Sequence, residues 1–323
     1  MDKTFFSSNE GKPITCKAAI CRKAGEALVI EDIHVDPPQA YEVRIKILCT
    51  SLCHTDLTFW KLSFGPISRF PRILGHEAVG VVESIGENVD GFKQDMPKIS
   101  YQTQDDMEWL QDSKILQENC GVSTGIGAAW KVANVEEGST IAIFGLGAVG
   151  LAVAEGARLR GAAKIIGIDT NSDKFELGKK FGFTDFINPT LCGEKKISEV
   201  IKEMTEGGVD YSFECVGLAS LLNEAFISTR TGTGKTVMLG MEKHAAPISL
   251  GSFDLLRGRV ICGSLFGGLK SKLDIPILVD HYLKKELNLD SFITHELNFK
   301  EINKAFALLE EGKSLRCILW MDK

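Results

Sequence analysis

Long apolar runs are missing from this sequence. The longest, Ile141 to Ala154, is interrupted by three glycines and is too short to cross a bilayer as a helix. The N-terminal stretch, Met1 to Pro13, is polar and does not contain the apolar core of a secretory signal. We therefore expect a soluble protein of the cytoplasm, without a membrane among its partners.

An excess of positive charge is also missing. The chain has 37 Lys and Arg residues against 43 Asp and Glu residues, which leaves a net charge of −6 at pH 7. This balance argues against nucleic acid or an anionic membrane as the main partner. Without a secretory signal, the nine cysteines are more typical of thiols or metal ligands than of a disulfide framework.

The secondary-structure pattern changes along the 323 residues, which have room for about two domains with cores of their own. The N-terminal part has short β-branched segments between Pro and Gly turns, which predicts a β-rich region. From Thr140 to about Phe266, apolar segments alternate with helical patterns, which predicts an α/β fold with a parallel doubly wound sheet. The predicted strands there are Ile141–Phe144, Ile165–Ile168, Asp185–Ile187, Tyr211–Cys215, Thr236–Leu239 and Val260–Ser264.

The most informative segment, from Thr140 to Asp169, has the order of a dinucleotide-binding unit. A predicted strand leads into glycines spaced as G-x-G-x-x-G, then come a helical run and a second strand, and an acid ends the unit. The first glycine permits a tight turn, the second lets the backbone approach a pyrophosphate, and the third lets the helix pack close to the strand. The residues of this predicted phosphate-binding turn are Gly145, Gly147, Ala148, Val149 and Gly150.

Asp169 predicts which dinucleotide is bound. It stands nineteen residues after Gly150, where a carboxylate can accept hydrogen bonds from both hydroxyls of the adenosine ribose. The same carboxylate would repel a 2′-phosphate, and the following Thr170 and Asn171 supply no arginine to neutralise one. We therefore expect NAD as the cofactor.

Cys53, His76 and Cys120 are candidate metal ligands. Two thiolates and one imidazole suit a tetrahedral zinc that keeps one position open. The three residues are far apart in the sequence, and no spacing rule connects them. Taken singly, each is more often a buried cysteine or a hydrogen-bonded core histidine, so the residues alone leave both interpretations open.

Several motifs, in the same order over most of the chain, resemble the zinc-containing alcohol dehydrogenases of the medium-chain family, in particular its plant alcohol dehydrogenase-like members. The residues that carry the resemblance are Cys53–Asp56, Gly75–Gly80, Cys120–Gly125, Gly145–Gly150, Gly263–Gly268 and Gly312–Arg316. The resemblance implies a GroES-like catalytic domain in two parts, residues 1–120 and 266–323, with a Rossmann NAD-binding domain, residues 121–265, between them. It also implies a homodimer formed through the edge strand near Val260–Ser264.

The resemblance further implies a reaction, in which an alcohol and NAD⁺ give an aldehyde or ketone and NADH. One catalytic Zn²⁺ would be held by Cys53, His76 and Cys120. Asp56 would orient His76, since a ligating imidazole usually donates its other N–H to a carboxylate. Glu77 would lie near the metal, and Thr55 would take the proton of the alcohol.

Three more residues would bind the cofactor if the resemblance holds. His54 and Arg316 would contact the pyrophosphate, and Lys174 would lie with Asp169 beside the adenosine ribose. For His54 an exposed surface histidine next to a metal ligand is the simpler alternative.

The segment Gln94–Asn119 departs from the family. Family members have there a lobe with closely spaced cysteines that bind a structural zinc, followed by further strands of the catalytic domain. This chain has no cysteine between Cys53 and Cys120, so we expect no structural zinc. Loss of these strands would expose sheet edges and open the substrate pocket to water. A catalytically impaired NAD-binding relative or a truncated isoform is therefore one alternative, and a zinc-dependent hydroxynitrile lyase is another.

Overall fold

The computed structural model describes residues 11–65, 68–91, 97–99, 119–242 and 246–322, with only the backbone at 97–99, Asn119 and Lys272. It divides into two compact units, one formed by Met1–Asn119 with Asp290–Lys323 and the other by Cys120–Leu289. Within the described ranges, none of the helices combines the length and the apolar character that a membrane span requires.

In the described part of the chain, strands predominate up to residue 99, and strands alternate with helices from residue 140 onward. The strands are β1 (Ile14–Cys21), β2 (Val29–Val35), β3 (Val43–Ser51), β4 (Arg72–Ile73), β5 (Ala78–Ile85), β6 (Pro97–Ile99), β7 (Thr140–Phe144), β8 (Lys164–Ile168), β9 (Asp185–Ile187), β10 (Tyr211–Glu214), β11 (Lys235–Met238), β12 (Val260–Gly263), β13 (Ile293–Asn298) and β14 (Arg316–Trp320). The helices are α1 (His54–Lys61), α2 (Asn119–Gly127), α3 (Ala148–Leu159), α4 (Lys174–Lys179), α5 (Ile197–Met204), α6 (Ala219–Ser228), α7 (Ser252–Leu256), α8 (Ser271–Leu283) and α9 (Ile302–Glu310).

The first unit is built from both ends of the sequence. Its strands form one sheet in the order β2-β1-β4 and another in the order β13-β14-β3-β5-β6, in which β14 pairs antiparallel with β3. The side-chain amide of Asn303 accepts the N–H of Leu28 at 2.8 Å and donates to the carbonyl of Leu28 at 2.9 Å. The C-terminal residues therefore complete a β-rich fold that the N-terminal residues begin.

Helix α9 supplies much of the core of this unit. Its buried residues are Ile302, Ala305, Phe306 and Leu309, a spacing that places them on one face of a helix. The ring of Phe306 lies 5.4 Å from the ring of Trp60 on α1, centroid to centroid. The apolar face of α9 thus connects the C-terminal part of the chain to the helix that follows Cys53.

The second unit contains a six-stranded sheet in the order β12-β11-β10-β7-β8-β9. All its neighbouring strands are parallel, so the predicted doubly wound sheet is confirmed, and each predicted strand agrees with the structure to within one residue at either end. From β7 the chain continues to β8 and β9 on one side and later enters β10 on the other. The topological switch point, where ligands bind in such folds, therefore lies between β7 and β10.

The sequence pattern does not predict α2, because three of its nine residues are glycines, which are poor helix formers. The structure explains why one of these three residues is a glycine. A Cβ atom on Gly125 would lie 2.5 Å from the carbonyl oxygen of Val149 and 2.5 Å from the side chain of Ala152, both on α3. Glycine at this position allows the two helices to pack backbone to backbone.

Two expectations concern the segment Gln94–Asn119 and the boundary of the Rossmann domain. The segment Gln94–Asn119 lies outside the described residues except for β6, which pairs antiparallel with β5, and Asn119. The expected Rossmann boundary at residue 265 falls inside the second unit, which extends to Leu289 and therefore includes α8. On α8, the ring of His281 packs edge-on against Trp130 at 5.2 Å. The division into family domains stays a prediction.

We predict that Phe306→Ala lowers the free energy of unfolding by about 3–5 kcal/mol, because it removes a buried ring and leaves a cavity that neighbouring groups fill only in part. Urea unfolding followed by circular dichroism measures the change. Lys304→Ala is the control on the exposed face of the same helix, where the side chain is 59% exposed, and we expect a change within about 0.5 kcal/mol. Equal destabilisation by both variants would contradict the assignment of Phe306 to the core.

Candidate metal and dinucleotide sites

The backbone that carries the Cys53 thiol is held by the first turn of α1. Cys53 precedes the helix in an extended conformation, with φ −120° and ψ 156°. Its carbonyl accepts the N–H groups of Asp56 at 3.0 Å and Leu57 at 3.3 Å, and its own N–H donates to Asp56 Oδ2 at 3.1 Å. The backbone from which the half-buried Cys53 thiol projects is therefore fixed at the N-terminus of α1.

The Asp56 carboxylate, with a side chain that is 3% exposed, also reaches the segment that contains His76. Asp56 Oδ1 accepts the N–H of Gly75 at 3.1 Å and lies 3.0 Å from His76 Nδ1. Because a carboxylate only accepts hydrogen bonds, Nδ1 carries a proton and Nε2 is the atom that can face a metal.

The protonation of His76 depends on its neighbours Asp56 and Cys53. Hydrogen bonding to Asp56, and next to Cys53, raises the pKa of His76 to about 10, although burial opposes this shift. A metal ion that binds at neutral pH would therefore have to displace a proton from Nε2.

Glu77 is buried next to His76 and forms an ion pair with Arg316. Arg316 Nη1 donates to Glu77 Oε1 at 3.0 Å, and each side chain is only 2% exposed. Burial raises the pKa of Glu77, while the charge of Arg316 lowers it. Glu77 Oε1 also lies 3.6 Å from His76 Nε2, and within the described residues Oε2 has no hydrogen-bond partner.

These side chains fit a zinc ion. The potential ligand atoms of Cys53, His76 and Glu77 lie within 4.8 Å of one another. Thiolate and imidazole ligands favour zinc, whereas calcium and magnesium prefer sets of oxygen ligands. Cys120, the third predicted ligand, is half-buried and is the first residue of the second unit.

The other predicted residues of the first unit lie on two elements. Thr55 is half-buried and His54 is exposed, both in the first turn of α1. Arg316, which the resemblance places at the pyrophosphate, lies in β14 and is buried against Glu77. The sequence does not predict this ion pair. The two residues are 239 positions apart, and no local pattern connects them.

In the second unit, the predicted glycine turn links β7 to α3. Gly145 has φ +95°, and a Cβ atom on it would lie 2.7 Å from Val216 Cγ2. A Cβ atom on Gly150 would lie only 1.9 Å from the carbonyl oxygen of Gly145. Gly147 precedes the helix and has open space around its Cβ position, while Ala148 and Val149 begin α3. The turn therefore has the close contacts that the glycine spacing predicts.

Asp169 follows β8 and lies close to this turn. Its Oδ2 accepts the N–H of Leu146 and the Nζ of Lys174, both at 2.9 Å, and its Oδ1 accepts the N–H of Asn171 at 2.9 Å. Burial alone would raise the pKa of Asp169, but the N–H of Asn171 and the ammonium of Lys174 outweigh it and lower the pKa. The carboxylate is therefore ionised at neutral pH and tied to the glycine turn.

Comparison with known proteins agrees with the family that the sequence motifs predict. The sequence model of the alcohol dehydrogenase GroES-like domain matches residues 39–144, and that of the zinc-binding dehydrogenases matches residues 148–284. Alcohol dehydrogenase-like 1 of Arabidopsis thaliana is 78% identical, with 100% of both chains covered. The chain belongs to the zinc-containing medium-chain alcohol dehydrogenase family. The predicted family membership is thus confirmed.

A more distant relative agrees with this family, and two solved structures share the fold. The class-3 alcohol dehydrogenase of Oryza sativa subsp. japonica is 42% identical over 98% of this chain and 100% of its own. An alcohol dehydrogenase zinc-binding domain protein from Burkholderia ambifaria has a TM-score of 0.84 at 26% identity, covering 97% of this chain and 100% of its own. Benzyl alcohol dehydrogenase from Acinetobacter calcoaceticus, at 24% identity, shares the fold with a TM-score of 0.85, covering 95% of this chain and 99% of its own.

We predict that Asp56→Ala weakens zinc binding by about 10- to 100-fold, because the imidazole of His76 loses the acceptor that orients it. Competition with a chromophoric chelator measures the affinity. Asp32→Ala is the control, since the Asp32 side chain is 59% exposed in a surface pair with Lys17. An unchanged affinity in a folded Asp56→Ala variant would contradict the orienting role.

Proposed function

We propose that this chain is an NAD-dependent zinc alcohol dehydrogenase that oxidises an alcohol to an aldehyde or ketone. The observation that carries the proposal is that Cys53 and His76 both contact the buried carboxylate of Asp56, in a chain of the zinc alcohol dehydrogenase family. The ionised Asp169 beside a glycine turn supports NAD as the hydride acceptor.

One zinc would be held by Cys53, His76 and Cys120. When bound, zinc would lower the pKa of an alcohol hydroxyl, and NAD⁺ would accept the hydride. Asp56 would keep His76 Nε2 directed at the metal, and Glu77 would stand next to the ligands with its charge balanced by Arg316. The half-buried hydroxyl of Thr55 would accept the proton of the alcohol while it passes its own proton on to the ribose of the cofactor or to water.

The absence of a structural zinc remains part of the proposal. The alignment with Alcohol dehydrogenase-like 1 runs over 388 positions, 65 more than the 323 residues of this chain. This difference supports the expectation that a family segment is missing.

The cofactor would be bound along the carboxyl edge of the parallel sheet. Gly147, Ala148 and Val149 would offer backbone N–H groups to the pyrophosphate at the start of α3, and His54 and Arg316 would contact the same pyrophosphate. Asp169 would accept the hydroxyls of the adenosine ribose beside Lys174.

We further propose a cytoplasmic homodimer that acts on a small-molecule alcohol or aldehyde. Strand β12 is at the edge of the six-stranded sheet, and Val260 on it is 45% exposed. A free edge strand can pair with the same strand of a second copy, which supports the dimer. The comparisons do not favour the lyase or the impaired relative over the dehydrogenase.

The first test is zinc content together with activity. Elemental mass spectrometry on dialysed protein should give about one zinc per chain, and a panel of primary and secondary alcohols should yield NADH that is lost on chelation and restored by added zinc. Zinc-loaded protein that oxidises none of the alcohols would overturn the proposal, and cyanide release from a hydroxynitrile would favour the lyase.

We predict that Asp169→Ala lowers kcat/KM for NAD⁺ by about 10- to 100-fold, because charged hydrogen bonds to the ribose are lost. Turnover with NADP⁺ should not fall, because the repulsion of its 2′-phosphate is removed. Steady-state kinetics with both cofactors measures the change. Asp173→Ala is the control, since Asp173 is exposed four residues further along the chain. An equal loss for NAD⁺ and NADP⁺ would contradict the ribose contact.

A further inference from the structure

Glu214 is a buried acid at the switch point of the parallel sheet. It is the last residue of β10 and has no solvent-exposed surface. Strand β10 lies between β7, which leads into the glycine turn, and β11. The side chain is therefore at the edge of the sheet where ligands bind in doubly wound folds.

The Glu214 carboxylate holds the loop that follows its own strand. Oε1 accepts the N–H groups of Val216 and Gly217, both at 2.8 Å. Burial raises the pKa of Glu214, and the N–H groups of Gly217 and Val216 oppose this shift. The carboxylate thus accepts two backbone donors of a loop in which Gly217 is buried and Val216 is 45% exposed.

Glu214 also connects this loop to the loop after β11. Its main-chain carbonyl accepts the N–H groups of Leu239 at 2.8 Å and Gly240 at 3.0 Å. A Cβ atom on Gly217, which has φ +86°, would lie 2.5 Å from the carbonyl oxygen of Met241. The two loops are therefore packed backbone to backbone next to Glu214.

The loop held by Glu214 borders the glycine turn. The side chain of Val216 is the group that lies 2.7 Å from the Cβ position of Gly145. Asp169, the proposed partner of the adenosine ribose, follows β8 on the opposite side of β7. Because a dinucleotide crosses such a sheet at the switch point, the nicotinamide half of a bound NAD would extend over β10 and β11.

We propose that Glu214 is a positioning residue for the nicotinamide half of NAD, an inference that rests on the proposed NAD-dependent function. Glu214 sets the loop that carries Val216 against the glycine turn and so forms the surface over which this half of the cofactor extends. The adenosine half, bound on the side of Asp169, does not depend on this loop.

The test compares the affinities for NADH and for AMP, which contains only the adenosine half. In Glu214→Ala, loss of the acceptor should raise the Kd for NADH by about tenfold or more, and the Kd for AMP should stay within about twofold. Glu214→Gln should restore NADH binding, because its amide oxygen accepts the same two N–H groups. Fluorescence of NADH and calorimetry with AMP provide the two measurements.

Asp210→Ala is the matched control at the opposite end of the same strand, where Asp210 Oδ2 accepts the N–H of Thr140 at 2.8 Å. It should leave the ratio of the two affinities unchanged. Unchanged NADH binding in Glu214→Ala, or an equal loss of NADH and AMP, would overturn the inference.

Two further results distinguish a failure of the inference from a failure of folding or of the proposed function. If Glu214→Ala does not fold, Gly217→Ala displaces the same loop, and unchanged NADH binding in that variant would overturn the inference. Wild-type protein that binds neither NADH nor AMP would overturn the proposed function itself, which separates that failure from a failure of the role of Glu214.

Discussion

The candidate metal site depends on the hydrogen bonds that converge on the Asp56 carboxylate. One oxygen accepts the N–H of Cys53, and the other accepts the N–H of Gly75 and faces His76 Nδ1. Burial removes competing water, so these bonds are stronger than they would be on the surface. A single side chain therefore fixes two separate segments of the chain, each of which carries a candidate ligand, and any displacement of the carboxylate would move both ligands.

The parallel sheet of the second unit uses buried acids in a similar way. Asp169 follows β8 and Glu214 ends β10, and each accepts backbone N–H groups of a neighbouring turn. A carboxylate has several acceptor sites, so it can hold a short turn in which the backbone donors have no strand or helix partner. The glycines allow these turns to approach one another, since a Cβ atom on Gly145 or Gly217 would collide with the opposite loop. Acid and glycine thus act together at the edge where the cofactor is proposed to bind.

The sequence predicts the second unit better than the first. Buried parallel strands such as Ile141–Phe144 are short apolar runs between turns, and the residues that identify them are neighbours in the chain. Helix α2 is missed because its glycines lower helix propensity, whereas contact with α3 supplies the stability. The structure of most of Gln94–Asn119, for which no regular pattern is present, lies outside the described residues.

The sequence by itself determined the strands of the parallel sheet, the glycine turn, the acid at Asp169 and the family, because each of these is recognised from motifs whose residues are close together in the chain. Only the tertiary structure decided which distant groups meet. The approach of His76 to Asp56 is expected only from the resemblance to the family. The pairing of Glu77 with Arg316 and the connection of two loops through Glu214 arise from how strands and turns pack. Such contacts join residues that are far apart in the chain and share no local period, so no pattern in the sequence predicts them.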